Sequence, residues 1–195
     1  MRKILLATHN AHKLGEVRAI LSRAAVEVIG AGEVGLPDTE ETGATFEENA
    51  LLKARAGFLR TGLPTLADDS GLCIRALNDA PGVHTARFAQ QHGGYPAVFD
   101  VIQKMLGDAP DRRAFFKCCL ALITEKEQHL FIGEAHGRIS RHPRGDRLFG
   151  YDPIFVPDGY HQTFAELDES IKNSISHRAR ALEKLVSFLR SIKPE

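Results

Sequence analysis

The sequence predicts an α/β protein in which two lobes share one sheet, and three observations carry that reading. Residues 3–7 form a nearly continuous apolar run, then Leu14, Val17, Ile20 and Leu21 recur at helical spacing, giving a strand–loop–helix opening. Thr45-Phe46-Glu47-Glu48 matches a capping box at the head of a second helical stretch. Ala114 to Thr124 and Leu130 to Ile139 are long extended runs around a polar turn, which reads as a hairpin.

Taken in order, the first loop is Thr8-His9-Asn10-Ala11-His12-Lys13. It precedes a helix, whose free N–H groups and dipole favour an anion. Thr8 and Asn10 add hydrogen-bonding groups and Lys13 a point charge, although a capped helix with a solvated lysine fits the same residues. The loop lacks the G-x-x-x-x-G-K-[ST] pattern and is no Walker A. Val26 to Gly30 reads as a second strand, followed by a loop rich in Gly, Pro and acid that carries Glu40 and Glu41. The helix after the capping box has Phe46, Ala50, Leu51, Ala54, Phe58 and Leu59 as its apolar stripe and ends at Gly62-Leu63-Pro64. Pro81-Gly82 makes a turn, and Tyr95 to Leu106 reads as a helix with Val98, Val101, Ile102 and Met105 inward.

Composition narrows the function. The 195 residues allow a real core, and 43% hydrophobic with 26% charged residues is ordinary for a globular protein. Lys plus Arg and Asp plus Glu number 25 each, so the basic field of a general nucleic-acid binder is missing. The apolar part of the N-terminal stretch Met1 to Ala7 is too short for a signal peptide, and no run reaches transmembrane length. Cys73, Cys118 and Cys119 offer neither a C-x-x-C pair nor a disulfide framework, so a reduced cytoplasmic compartment is expected.

The stretch that organises the chain is Leu66-Ala67-Asp68-Asp69-Ser70-Gly71-Leu72, read as a strand end entering a polar turn. Carboxylates are seldom buried unpaired, so two at a strand end want a cation, a proton or a donor. An ordinary turn fits too. Glu40 and Glu41 fit either a solvated loop or a further carboxylate for a cation held there, with Lys53 pointing either to the same site or into solvent. Farther on, the basic loop His142 to Leu148 leads into Phe149-Gly150-Tyr151-Asp152-Pro153-Ile154-Phe155. An aromatic beside a hydrogen-bonding acid suits a nucleobase, one stacking on its face and the other reading its edge, unless the rings are core. Lys172 then precedes Ser174-Ile175-Ser176-His177-Arg178, with Ser176 as helix cap and two basic residues in the first turn. Their conflict with the dipole costs some tenths of a kcal/mol, roughly, and is the kind of local mismatch found at functional sites.

Together these motifs resemble the inosine triphosphate pyrophosphatase family, the enzymes that hydrolyse non-standard purine nucleoside triphosphates. The similarity runs from residue 3 to about residue 189. Its most specific marks are Thr8 to Lys13, Glu41-Thr42-Gly43-Ala44-Thr45-Phe46-Glu47-Glu48-Asn49-Ala50, Ala67 to Leu72, Phe149 to Phe155, and Ser176-His177-Arg178. The resemblance implies a single domain over 1–195, with two lobes on a long central mixed sheet flanked by helices and a cleft between them. It further implies a homodimer, a Mg²⁺ requirement, and cleavage of ITP, dITP and XTP to the monophosphate and pyrophosphate, with no nucleic-acid or membrane partner. By matching position, Thr8, His9, Asn10, Ala11, His12 and Lys13 would hold the triphosphate, while Glu40 and Asp69 hold the metal. Asp69 would also accept the proton from water, and Lys53 and Ser70 would contact substrate. Phe149, Gly150, Tyr151, Asp152, Lys172, His177 and Arg178 would form the base and phosphate contacts. Two departures stand out: His9 where glycine is common, and Asp146-Arg147-Leu148 in place of a more Gly-rich lead-in.

Overall fold

Parallel strands require a crossover, and the first half of the chain supplies two. In the computed structural model, which describes residues 3–191, β1 (Lys3–Leu6) is followed by α1 (Ala11–Leu21), β2 (Glu27–Gly30), α2 (Phe46–Thr61) and β3 (Thr65–Ile74). Then come α3 (Thr85–Gln91), α4 (Ala97–Leu106), β4 (Arg113–Ile123), β5 (Gln128–Ile139), β6 (Phe155–Pro157), α5 (Glu169–Ile175) and α6 (His177–Ser191), with short 3-10 turns between some of them. Met1 and Arg2, at the head of the N-terminal stretch, lie outside the described residues.

The sheet order is β2-β1-β3-β4-β5-β6. β1 runs parallel to both β2 and β3, with Leu5 opposite Ile29 on one side and Thr65 on the other. β5 pairs antiparallel with β6, Gly137 opposite Pro157, so the sheet is mixed. The β4–β5 connection closes with Thr124 N–H donating to Glu127 O at 2.9 Å, the expected hairpin.

The chain packs as two compact units. One comprises Met1–Asp69, Cys118–Gly133 and Arg178–Glu195, the other Ser70–Lys117 and Glu134–His177. Each has its own apolar core. In the first, Ile4, Leu6, Val17, Leu21, Leu66 and Leu120 pack with Leu182 and Leu185 of α6. In the second, Leu72, Ile74, Phe99, Ile102, Phe116, Tyr151, Phe155 and Phe164 do so.

Three expectations are corrected. The polar segment 68–71 is not a turn: β3 runs through it unbroken, because each of its acids has cationic partners that make burial tolerable. On α2, Phe46, Ala50 and Ala54 are buried as expected, but Leu59 is 83% exposed and Asn49 and Gly57 join the buried face. Small residues decide this, since a Cβ on Gly57 would lie 2.7 Å from Thr65 Cγ2 and 3.2 Å from Leu5 Cδ2. α4 begins at Ala97 rather than Tyr95, because a residue before proline is biased away from helix. It buries Phe99 and Leu106 with Val98 and Ile102, leaving Met105 48% exposed. The capping box holds as expected: Thr45 Oγ1 accepts from Glu48 N–H at 3.1 Å, and Glu48 Oε2 accepts from Thr45 N–H at 3.2 Å. Gly62, at φ +69°, ends the helix.

Candidate active site

Successive side chains of a strand face opposite ways, so the adjacent acids of β3 meet different surroundings. Asp68 is wholly enclosed. Lys13 Nζ and Arg178 Nε donate to it, the latter at 2.9 Å, and the Cys118 thiol donates at 3.2 Å. Burial works against its charge, but Arg178 and Lys13 prevail and hold the carboxyl well below the usual carboxylate range. Arg178 Nη1 also reaches Glu16 at 2.5 Å, so this buried guanidinium joins α6 to α1 and β3. Its pKa is pushed upward: burial opposes the charge, and Asp68 and Glu16 outweigh burial.

The loop before α1 organises itself. Asn10 caps the helix, its Oδ1 accepting from Lys13 N–H at 3.1 Å, while Thr8 Oγ1 accepts from Asn10 N–H at 3.2 Å. Lys13 therefore turns to Asp68 rather than into open solvent. Ala11 and His12 are exposed in the first turn, and His9 Nε2 lies 3.4 Å from Asp38.

Asp69 has a different cluster. Lys53 Nζ donates to its Oδ1 at 3.2 Å, and Asn49 Nδ2 donates to its Oδ2 at 3.2 Å. The capping box sets the start of α2, and Asn49 and Lys53, four residues apart, share one helix face. Lys53 also bonds Glu41 Oε1 at 2.6 Å. Burial pushes the Asp69 carboxyl up to about 6, Lys53 pulling it down and Glu41 pushing it further up. Burial disfavours the Lys53 charge as well, yet Asp69 and Glu41 raise its pKa. A carboxyl near 6 is ionised at neutral pH and still basic enough to take a proton.

Of the two loop glutamates it is Glu41 whose carboxylate joins this cluster, whereas Glu40, the expected ligand, is an exposed residue beside it. Among the described residues no three His, Cys, Asp or Glu side chains gather into a metal cluster. The donor set nevertheless fits magnesium. Lys53 already bridges two carboxylates as a cation does, all the ligand atoms are oxygens, and Mg²⁺ takes its remaining ligands from water and phosphate.

The second unit assembles a separate group. Lys172 pairs with the buried Asp152, and its Nζ lies 5.0 Å from the centre of the half-buried Phe149 ring. Gly150 sits at φ +55° between Phe149 and Tyr151. Tyr151 itself is 1% exposed, its hydroxyl donating to Thr85 O at 3.0 Å and its ring meeting Tyr95 edge-on at 5.1 Å. That ring is spent on the core, leaving Phe149 as the aromatic face of the pair. His177 stacks on Phe116 at 4.8 Å and 13°, at the first position of α6. Ser70 is half-buried next to Asp69 on β3. The basic loop is pinned: Arg144 donates to His161 O at 2.8 Å and Arg147 to Leu167 O, while Leu148 stays 73% exposed.

Sequence reasoning gave no site role to Asn49, Glu16 or Cys118. Asn49 did leave a signal, a polar amide on an otherwise small, apolar helix stripe, but its partners 6 and 20 residues away did not.

Similar sequences and a similar fold recur in known proteins. The pattern of the Ham1 family matches residues 4–188. A dITP/XTP pyrophosphatase of Gluconobacter oxydans (strain 621H) is 46% identical over 181 residues, covering 92% of this chain and 87% of that protein. One from Porphyromonas gingivalis (strain ATCC BAA-308 / W83) is 44% identical over 191 residues, covering 97% and 98%. Among solved structures, a HAM1 protein from Coxiella burnetii superposes with a TM-score of 0.89 at 43% identity, covering 98% of this chain and all of that one. The Staphylococcus aureus Ham1 protein gives 0.89 at 37% identity, covering 98% and 100%. With agreement of this extent in both sequence and backbone, the chain belongs to the Ham1 family.

Proposed function

We propose that this protein is a Mg²⁺-dependent nucleoside-triphosphate pyrophosphatase acting on ITP, dITP and XTP. The observation that carries the reading is Asp69, a carboxyl raised to about 6 and held between Lys53 and Asn49. Relatives that carry the name dITP/XTP pyrophosphatase support the choice of substrate.

Asp69 takes the proton from a water molecule as its oxygen attacks the α-phosphorus, and the α–β anhydride bond breaks to release the monophosphate and pyrophosphate. General-base assistance of this kind is worth ~10²–10⁴ in rate. Bound magnesium, held by Asp69 and the Glu40–Glu41 loop, would neutralise phosphate charge. Lys13 and Lys53 add positive charge for the triphosphate, with Thr8, His9, Asn10, Ala11 and His12 lining the anion loop and Ser70 contacting substrate. Phe149 stacks on the purine, with Gly150 giving its turn and Asp152, Lys172 and His177 reading the edge. Because the Arg178 side chain is engaged by Asp68 and Glu16, the donor to the six-position carbonyl comes from His177 or nearby backbone. A donor left unmet against adenine gives discrimination of ~10⁴ or more.

We further infer a cytoplasmic homodimer without a nucleic-acid or membrane partner. The zero formal net charge supports the want of a nucleic-acid partner and the three buried free cysteines a reducing compartment; among the described residues no helix is long and apolar enough to cross a membrane. Pyrophosphate release from ITP, dITP, XTP, GTP and ATP, with magnesium and with EDTA, tests the function. The expected result is rapid, EDTA-sensitive release from the first three. ATP cleaved as fast as ITP overturns the base reading, and no release from any of the five overturns the activity.

A further inference from the structure

We infer that Asn49 is a positioning residue for hydrolysis, orienting the Asp69 carboxylate and the backbone of the Glu40–Glu41 loop through one amide. This assignment rests on the proposed role of Asp69 as proton acceptor. Asn49 is buried on α2, whose other buried residues are Phe46, Ala50, Ala54 and Gly57, so an apolar side chain would be the ordinary occupant. Its two ends point to different partners. Nδ2 donates to Asp69 Oδ2 at 3.2 Å, and Oδ1 accepts from Gly43 N–H at 2.8 Å.

Among side chains of this length, the Asn amide is the one that offers a donor and an acceptor side by side irrespective of pH. Lys53, one turn on, takes the other Asp69 oxygen, so two donors from α2 fix the plane of the carboxylate. The loop is built around the same contact: a Cβ on Gly43 would lie 2.7 Å from Asn49 Oδ1 and 2.7 Å from Glu48 Cβ. Without Asn49, the carboxylate is free to swing about its single tie to Lys53. Groups that orient a reacting carboxylate matter because misplacement by about 1 Å costs ~10² in rate.

Two substitutions separate the roles. Asn49→Asp keeps an acceptor for Gly43 and, ionised at the assay pH of about 8, replaces the donor to Asp69 by a like charge, whereas Asn49→Ala removes both. The readouts are kcat and KM for ITP at saturating magnesium, and hydrogen exchange of the Gly43 amide in the nucleotide- and metal-free protein. We expect kcat to fall ~10–100-fold in both variants, with KM changed less than about threefold. Gly43 protection should survive in the Asp variant and vanish in the Ala variant. An Asp variant with kcat within about twofold of wild type overturns the inference. So does a loss carried by KM, or one accompanied by lost Gly43 protection in the Asp variant. Asp69→Asn is assayed in parallel. If it keeps its turnover, the underlying reading fails; if it is dead while Asn49→Asp is active, only the role of Asn49 falls.

Discussion

Replacing Asp69 by Asn should make the unliganded protein more stable while nearly abolishing turnover. The ordinary carboxyl value of 3.8 becomes about 6 in the fold, a rise of about 2 pH units caused first by burial and only partly offset by Lys53. At 1.36 kcal/mol per unit, the native state favours protonated over ionised Asp69 by about 3 kcal/mol more than the unfolded chain does. That contribution is fully present below 3.8, is lost as pH rises through the interval up to about 6, and is absent above it. Asn keeps the shape of the neutral acid at every pH, so it recovers most of this stability at pH 8 and almost none at pH 3.5. For a chain of this size, 3 kcal/mol corresponds to roughly 6–12 °C in Tm. The assay is thermal unfolding of both proteins in EDTA without nucleotide, across this pH range, with pyrophosphate release measured on the same preparations. A variant no more stable than wild type at pH 8 would refute the reasoning, as would a gain that does not vary with pH. Near-normal turnover would remove Asp69 from the role of base.

Arg178→Met leaves the buried Asp68 to Lys13 and Cys118 and takes the guanidinium away from the half-buried Glu16, a loss of up to ~3–5 kcal/mol by urea denaturation; a cost under about 1 kcal/mol would mean water replaces the guanidinium. Gly137→Ala drives a Cβ into the Val156 carbonyl and within 2.9 Å of Pro157 Cα, where β5 pairs with β6. Overpacking there should cost ~1–3 kcal/mol and lower Tm, and an unchanged Tm would show that this edge gives way freely.

Local signals were legible where the physics is local. The Thr45–Glu48 capping box, the Gly62 stop and the polar turn expected over 125–128 each depend on residues within a few positions of one another; the first two stand as read, and the turn closes one residue earlier, at Thr124–Glu127. Asp68 and Asp69 announced themselves as acids in an apolar setting, yet their surroundings misled: polar residues in succession imitate a turn. What keeps β3 extended is Lys13, 55 residues upstream of Asp68, and Arg178, 110 residues downstream. Tyr151 and Phe149 illustrate the same limit. Both are aromatics of one motif, but only packing against Thr85 and Tyr95 commits Tyr151 to the core.

The amino-acid order thus determined the strand–helix alternation, the family motifs and the presence of acids that need partners, because propensity, capping and periodicity act between neighbours. Tertiary structure decided which donor meets which carboxylate: Lys13 and Arg178 on Asp68, Lys53 and the Asn49 amide on Asp69, Glu41 rather than Glu40 on Lys53. That choice sets one acid firmly ionised and its neighbour near neutrality, since Coulomb energy and desolvation depend on distance and burial in three dimensions.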